Sequence, residues 1–210
     1  MKNASSNKEL TDSILRYLGY PQDVVVGNDI LQRIERAVRE VEEMSVFQYL
    51  YAHYTEPMSF MLANPAYMEH LSGADGYLLC ATTLGAQIDR HLKRLQLTDM
   101  THAIVFDAAA SAYLERCADE FERQLPYERL GFRFCPGYGG TSLEDSREIA
   151  LRLRAERVGI TFLDSGLMVP LKSMMGIVKI GGGERRKSCA HCVAQQGCVF
   201  RTRGTRCYNG

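Results

Sequence analysis

A glycine-rich loop, residues 133–140 (RFCPGYGG), carries side chains that suit a small charged ligand. Arg133 offers a planar fork of donors that matches a carboxylate, and Tyr138 offers an aromatic face and a hydroxyl. Pro136 restricts Cys135 to extended conformations, while the loop glycines permit positive φ and a close approach to the backbone. A small zwitterionic or cationic ligand fits this set. The same residues also make an ordinary turn before a helix, so composition leaves both interpretations open.

Four cysteines crowd the last stretch of the chain in the pattern C-x2-C-x5-C-x8-C: Cys189, Cys192, Cys198 and Cys207. Such crowding favours a metal site over disulfides in a reducing compartment. Four thiolates complete a tetrahedral zinc site or hold an iron–sulfur cluster. Paired C-x2-C knuckles, the commoner zinc form, are absent, and nearby basic residues offset thiolate charge. The spacing therefore favours a [4Fe–4S] cluster, with zinc as the alternative.

The overall composition is that of a globular chain. It has 210 residues, 46% of them apolar and 24% charged. The formal net charge is zero, which gives the whole molecule no electrostatic attraction to nucleic acid or anionic membranes. No apolar run approaches the ~18 residues of a membrane-spanning helix, and the polar N-terminus has no secretory signal. We therefore expect a cytoplasmic protein.

Helical and strand-like segments alternate without a regular βα repeat, which predicts an α+β fold with a mostly antiparallel sheet. Helices are predicted at about 8–19, 28–43, 86–95, 103–125 and 142–157, the last capped by Ser142 with Asp145 completing a weak capping box. Strands are predicted within 45–54, 75–85, 130–134, 158–170 and 174–183. The glycines at 181–183 form a natural linker, which divides the chain into a domain at 1–183 and a Cys-rich tail at 184–210.

Two motifs resemble the activation domain of cobalamin-dependent methionine synthase. Residues 133–138 resemble the Arg-x-x-Pro-Gly-Tyr motif of that family. Residues 158–176 resemble its G-x-x-L-T-E-S-x-x-M-x-P-x-x-S-x-x-G segment, with Asp164 where the family usually has Glu. The matching residues are Gly159, Ser165, Met168, Pro170, Ser173 and Gly176. Upstream, "ILRYLGY", "CATTLGAQIDRHL" and "FDAAASAYLERCADEF" look like the pattern of smaller, stand-alone relatives, so the resemblance covers about 10–180.

The resemblance implies a curved, mostly antiparallel sheet flanked by helices, and a domain that binds S-adenosylmethionine. In that family the methyl group passes to a corrinoid that has been reduced by one electron. Here the implied partner is a separate corrinoid-carrying methionine synthase or methyltransferase. The segment Asp89-Arg90-His91 begins the corrinoid-ligating D-x-H-x-x-G pattern, but Arg94 stands in place of its glycine, which favours an ordinary helical histidine. The implied role is an accessory component of S-adenosylmethionine-dependent cobalamin methylation.

The resemblance also implies the ligand-binding residues. They are Arg133, Cys135, Pro136, Gly137 and Tyr138 in the loop, with Glu115, Glu128, Asp164 and Ser165 from elsewhere. Glu115 falls where the family has a helix carboxylate that meets the ligand's ammonium, and Asp119 is the alternative one turn on. No catalytic residue is assigned, because the reactive groups are those of the corrinoid and the sulfonium.

Two further hypotheses concern the tail. A cluster beside the S-adenosylmethionine cleft would place an electron donor next to the corrinoid that must be reduced. Alternatively, the basic, cysteine-rich tail is a metal knuckle that contacts nucleic acid or a protein partner. A conventional S-adenosylmethionine methyltransferase is a weaker alternative, since no glycine-rich strand-to-helix loop of that fold is present.

Overall fold

An antiparallel sheet with helices against both faces forms the framework of the computed structural model, which describes residues 4–21, 25–182 and 199–202. The helices are α1 (Ala4–Tyr17), α2 (Asn28–Met44), α3 (Ser59–Leu62), α4 (Pro65–Leu71), α5 (Ala86–Thr98), α6 (Met100–Glu122), α7 (Asp145–Leu153) and α8 (Val199–Thr202), with a 3-10 helix at Ala155–Val158. The strands are β1 (Gln48–Tyr54), β2 (Gly76–Thr83), β3 (Leu130–Phe134), β4 (Thr161–Phe162), β5 (Met168–Val169) and β6 (Ser173–Ile180).

The main sheet has the strand order β1-β2-β6-β3, and every neighbouring pair is antiparallel. Strand β2 is buried along its whole length, which explains why its sequence is a continuous run of apolar and small residues rather than an alternating one. Strands β4 and β5 pair separately as a short hairpin. The predicted α+β class with a mostly antiparallel sheet is confirmed.

Three apolar clusters of described residues pack against the sheet, the smallest of them around Leu78, Cys80 and Val178. Helices α1, α2 and α5 pack around α6 in the first core, where Ile14, Val41 and Phe106 are fully buried. The second core joins the opposite face of the sheet to α4 and α7 through residues such as Tyr67 and Ile149. Helix α6 lies over the face of the sheet that carries Arg133, because Asp119 and Glu122 of this helix pair with that arginine.

The helix predicted for 142–157 is shorter than expected. It begins at Asp145 and ends at Leu153, because Arg154 adopts a left-handed conformation with φ of 53° and a 3-10 turn follows. Ser142 is not its N-cap; its hydroxyl accepts a hydrogen bond from Glu144 N at 3.1 Å, before the helix starts. The predicted capping box is therefore wrong.

The segment between β1 and β2 holds two helices that periodicity did not predict, α3 and α4. The carboxamide oxygen of Asn64 accepts a hydrogen bond from Ala66 N at 3.0 Å, and Pro65 occupies the first helical turn. Asn as an N-cap with Pro just inside the helix is a strong start signal. Helices of four and seven residues, however, are too short to show a helical repeat.

Within the described part of the chain, no helix combines the length and the apolarity needed to cross a bilayer. The tail predicted at 184–210 lies outside the described residues except for α8.

Candidate functional site

The loop after β3 is fixed by its own hydrogen bonds. The buried Thr141 hydroxyl accepts from Gly137 N at 2.9 Å and donates to Tyr138 O at 2.7 Å. Gly137 has φ of 90°, a conformation open to glycine and strained for other residues. Pro136 is buried beneath the turn, whereas Tyr138 is 61% exposed. The loop is thus a rigid turn that holds an aromatic side chain towards solvent.

Arg133 extends from β3 into a buried position under α6, with only 7% of its side chain exposed. Its guanidinium pairs with Asp119 at 2.8 Å and with Glu122, both on α6. Burial alone would lower the pKa of Arg133, but Glu122 and Asp119 outweigh it and raise that pKa above its ordinary value. The cation is therefore held permanently charged between two carboxylates.

Glu122 is a buried acceptor for two donors. Besides Arg133, the hydroxyl of Tyr49 on β1 donates to it at 2.8 Å. Phe121 stacks on Tyr49 with ring centroids 4.5 Å apart, and burial raises the pKa of Tyr49, so its hydroxyl stays a donor. Because a buried charge is stable only when it is paired and hydrogen-bonded, this network fixes the position of Arg133.

Helix α6 presents an acidic stripe to the sheet and the loop, which consists of Asp107, Glu115, Asp119 and Glu122. Their spacing of eight, four and three residues places them on one helical face. Lys172 pairs with Asp107 at 2.8 Å at one end of the acidic stripe, and Arg133 pairs with Asp119 and Glu122 at the other. Four carboxylates thus face two cations.

Glu115, in the middle of the acidic stripe, has a neutral partner instead of a cation. The hydroxyl of Tyr17, the last residue of α1, donates to Glu115 Oε1 at 2.6 Å. No lysine or arginine among the described residues pairs with Glu115. Partial burial of the phenol and the neighbouring Glu115 raise the pKa of Tyr17, and Tyr138 and Cys135 raise it further. The hydrogen bond joins the end of α1 to α6, and the influence of Tyr138 and Cys135 on the same phenol indicates that the loop lies nearby.

The remaining residues predicted for the site make no hydrogen bond or ion pair with the members of this cluster among the described residues. Asp164 and Ser165 are exposed in the turn between β4 and β5, which Gly166 N closes with a hydrogen bond to Leu163 O at 3.0 Å. Glu128 is exposed in the connection between α6 and β3 and makes no hydrogen bond or ion pair with the described residues. Their roles stay predictions.

The Asp89–His91 segment on α5 has structural partners. Asp89 Oδ2 accepts from Leu171 N at 2.8 Å, which ties the helix to the loop before β6. His91 is 8% exposed, and its Nε2 lies 3.2 Å from Glu40 Oε2. His102 Nε2 approaches the same oxygen at 2.8 Å. These contacts join α2, α5 and α6.

Sequence reasoning missed three members of the cluster: Tyr17, Tyr49 and Glu122. The spacing of Glu122 from Glu115 and Asp119 is a signal that could have found it, because the three share a helical face. Tyr17 and Tyr49 reach α6 from distant parts of the chain, and no local pattern marks them.

The predicted metal ligands Cys189, Cys192, Cys198 and Cys207 lie outside the described residues. Within 4–21, 25–182 and 199–202, no group of three histidine, cysteine or acidic side chains is placed to hold a metal ion.

No protein-family model matches this chain, and no curated protein sequence matches it. Among solved structures, the chain is similar to the crystal structure of the MetH reactivation domain bound to AdoHcy. The TM-score is 0.60 at 15% sequence identity, over 95% of this chain and 84% of that chain. The chain is therefore activation-domain-like in fold: an α+β protein with an antiparallel sheet flanked by helices. The antiparallel sheet flanked by helices that the two sequence motifs implied is confirmed, whereas the predicted Cys-rich tail lies outside the described residues except for 199–202.

Proposed function

We propose that this chain binds S-adenosylmethionine and presents its methyl group to a corrinoid carried by a separate methionine synthase or corrinoid methyltransferase. One observation carries the proposal: Arg133, Tyr138 and an acidic stripe converge in a fold shared with a reactivation domain that was solved with AdoHcy bound. The nucleoside-binding property belongs to that solved domain. Its extension to this chain is supported by the side chains at the loop.

The charges of the cluster complement those of the ligand. S-adenosylmethionine carries an ammonium, a carboxylate and a sulfonium, and so has a net positive charge. The acidic stripe exceeds its two cations by two negative charges, which favours a cation close to α6. Glu115, which has no cationic partner among the described residues, suits the ammonium.

Arg133 and Tyr138 suit the other groups of the ligand. A guanidinium has five N–H donors, and its bonds to Asp119 and Glu122 leave donors for the ligand's carboxylate. The exposed ring of Tyr138 offers a flat face for the adenosyl group. The backbone of Cys135 and Gly137 lies between the two side chains, in a turn that does not have to reorganise on binding.

These residues bind and orient; they do not supply the reactive groups. The partner's reduced corrinoid supplies the nucleophile that takes the methyl group. The sulfonium then becomes a neutral thioether, S-adenosylhomocysteine, and the ligand loses one positive charge. The acidic stripe therefore favours the substrate over the product, which assists product release.

We further propose that Cys189, Cys192, Cys198 and Cys207 hold a [4Fe–4S] cluster, with zinc as the alternative, in a tail at 184–210 that is separate from the ligand domain at 1–183. The support is the spacing of the four thiols and the surrounding basic residues. Anaerobic purification followed by iron, sulfide and zinc analysis and EPR spectroscopy distinguishes the two metals.

Transfer of a labelled methyl group tests the proposed function. The full chain is mixed with S-[methyl-¹⁴C]adenosylmethionine, a corrinoid protein from the same cell and a strong reductant, and label on the corrinoid is counted. We expect transfer by the wild type and by Arg129→Ala, an exposed arginine, but not by Arg133→Ala. No transfer by the wild type, or equal transfer by both variants, would contradict the proposal.

A further inference from the structure

Tyr17 is hydrogen-bonded to Glu115, the one carboxylate of the acidic stripe that has no cationic partner among the described residues. Its hydroxyl donates to Glu115 Oε1 at 2.6 Å across 98 positions of sequence. The same phenol lies within electrostatic range of Tyr138 and Cys135 in the loop. Tyr17 thus stands where α1, α6 and the proposed ligand loop meet.

Helix α1 does not depend on this hydrogen bond for its position. Leu10 and Ile14 anchor the helix, with 4% and 0% of their surfaces exposed. Tyr17 is 50% exposed at the C-terminal end. Release of its hydroxyl from Glu115 would return it to water, and would leave no buried polar group without a partner.

We infer that Tyr17 is a ligand-responsive latch: its hydroxyl occupies Glu115 in the empty site, and the ammonium of an S-adenosylmethionine-type ligand displaces it. The inference rests on the proposed function and names a further residue of the same site. In this arrangement the end of α1 lines the proposed ligand site together with α6 and the loop. Glu115 is then the group that selects ligands with an ammonium.

The exchange of partners is favourable for a charged donor. An ammonium–carboxylate pair is a hydrogen bond between two ions, whereas a phenol offers a neutral donor. A ligand without the ammonium cannot replace the phenol on Glu115 and leaves the latch closed. The latch therefore weakens binding of amine-bearing ligands slightly and has no effect on ligands that lack the amine.

Calorimetric titration of the full chain with two matched ligands tests the latch. One ligand is S-adenosylhomocysteine, and the other is 4-(5′-deoxyadenosin-5′-ylthio)butanoate, which differs only by lacking the ammonium. We expect Tyr17→Phe to bind S-adenosylhomocysteine about three- to tenfold more tightly, since no hydroxyl has to be displaced. Its affinity for the deamino ligand should equal that of the wild type.

Two further variants separate the latch from general effects on stability. Tyr20→Phe is the matched control, because the Tyr20 hydroxyl makes no hydrogen bond with the described residues, and it should bind both ligands like the wild type. Glu115→Ala should weaken S-adenosylhomocysteine alone, and adding Tyr17→Phe to it should have no further effect, because no acceptor for the phenol or the ammonium remains at position 115. Thermal melts of each variant report folding independently.

Other outcomes overturn the latch. An unchanged or weaker affinity of Tyr17→Phe for S-adenosylhomocysteine, or an equal change for both ligands, shows that Tyr17 is only a helix contact. If the wild type binds S-adenosylhomocysteine in that case, the proposed function stands without the latch. If the wild type binds neither ligand, both proposals fail.

Discussion

Arg133 reaches the carboxylates of α6 across a gap that Gly176 leaves in the neighbouring strand. A Cβ at position 176 would lie 2.8 Å from Arg133 Cδ and 3.1 Å from the buried Cys80 sulfur. Gly176 belongs to the second sequence motif and Arg133 to the first, so the two motifs form one structural unit. The glycine of the second motif makes room for the arginine of the first.

Gly176→Ala should therefore displace Arg133. The added methyl group meets the middle of the arginine side chain, not its flexible end, in a fully buried part of the sheet. We expect a loss of about 1–3 kcal/mol in the free energy of unfolding and a weaker affinity for S-adenosylhomocysteine. Urea unfolding and calorimetry measure the two effects.

Gly131→Ala is the control for that substitution. Its methyl group would lie 3.0 Å from Lys179 Cγ and 3.6 Å from Lys179 Cδ, so the neighbouring side chain has to give by only a few tenths of an ångström. It should therefore be much milder than Gly176→Ala. Equal stability of Gly176→Ala and the wild type, with unchanged affinity, would show that the gap does not position Arg133.

Glu122→Gln tests the buried ion pair. The substitution keeps the shape but removes one of the two charges that compensate Arg133, while Asp119 remains. We expect a destabilisation of about 2 kcal/mol or more in urea unfolding. Glu120→Gln is the control, since its side chain is 48% exposed and 3.9 Å from Arg116 Nε; its effect should stay within about 0.5 kcal/mol. Similar losses in both variants would refute a special role for Glu122.

His70 should make stability depend on acid pH. It is 2% exposed, and burial lowers its pKa from 6.5 to about 4. Because the folded protein binds this proton less readily than the unfolded chain, stability falls as pH drops below 6.5 and levels off below about 4. The loss at pH 4 is on the order of 3 kcal/mol.

Urea unfolding of the wild type and His70→Gln at pH 7 and pH 4 checks this dependence. The glutamine amide can still donate to Ile177 O, which His70 Nε2 approaches at 3.2 Å, but it does not titrate. The wild type should lose on the order of 3 kcal/mol more than the variant between the two pH values. Parallel losses would show that another group controls the acid response.

Cys192→Ser should separate metal binding from ligand binding. We expect a lower metal content per chain, because one thiolate of the proposed tail site is removed. The affinity for S-adenosylhomocysteine should be unchanged, since Arg133 and the acidic stripe lie in the other proposed domain. Metal analysis and calorimetry on the same preparation measure both. Unchanged metal content would exclude Cys192 as a ligand.

The sequence predicts those parts of the fold and the site that depend on a local pattern of residues. The central strands are buried apolar runs, and the arginine–tyrosine loop is marked by its glycines and proline, so both could be predicted. Helix α7 ends early at Arg154 because a non-glycine residue adopts a left-handed conformation, which no pattern announces. The Tyr17–Glu115 contact joins residues 98 positions apart, and only the packed fold shows it.

The acidic stripe could be predicted from the sequence only in part. Its carboxylates share one helical face by spacing alone, but the sequence does not show which of them are neutralised. The structure assigns Lys172 to Asp107 and Arg133 to Asp119 and Glu122. It leaves Glu115 with the neutral phenol of Tyr17, and Glu115 is therefore the carboxylate that we propose for the cationic group of the ligand.

Calorimetric titration of the full chain with S-adenosylmethionine tests the central claim most directly. We expect saturable one-to-one binding by the wild type and by Arg129→Ala, and no measurable binding by Arg133→Ala when that variant melts as a folded protein. Absence of heat with the wild type, or equal affinity of the wild type and folded Arg133→Ala, would contradict the claim that this site binds the sulfonium ligand.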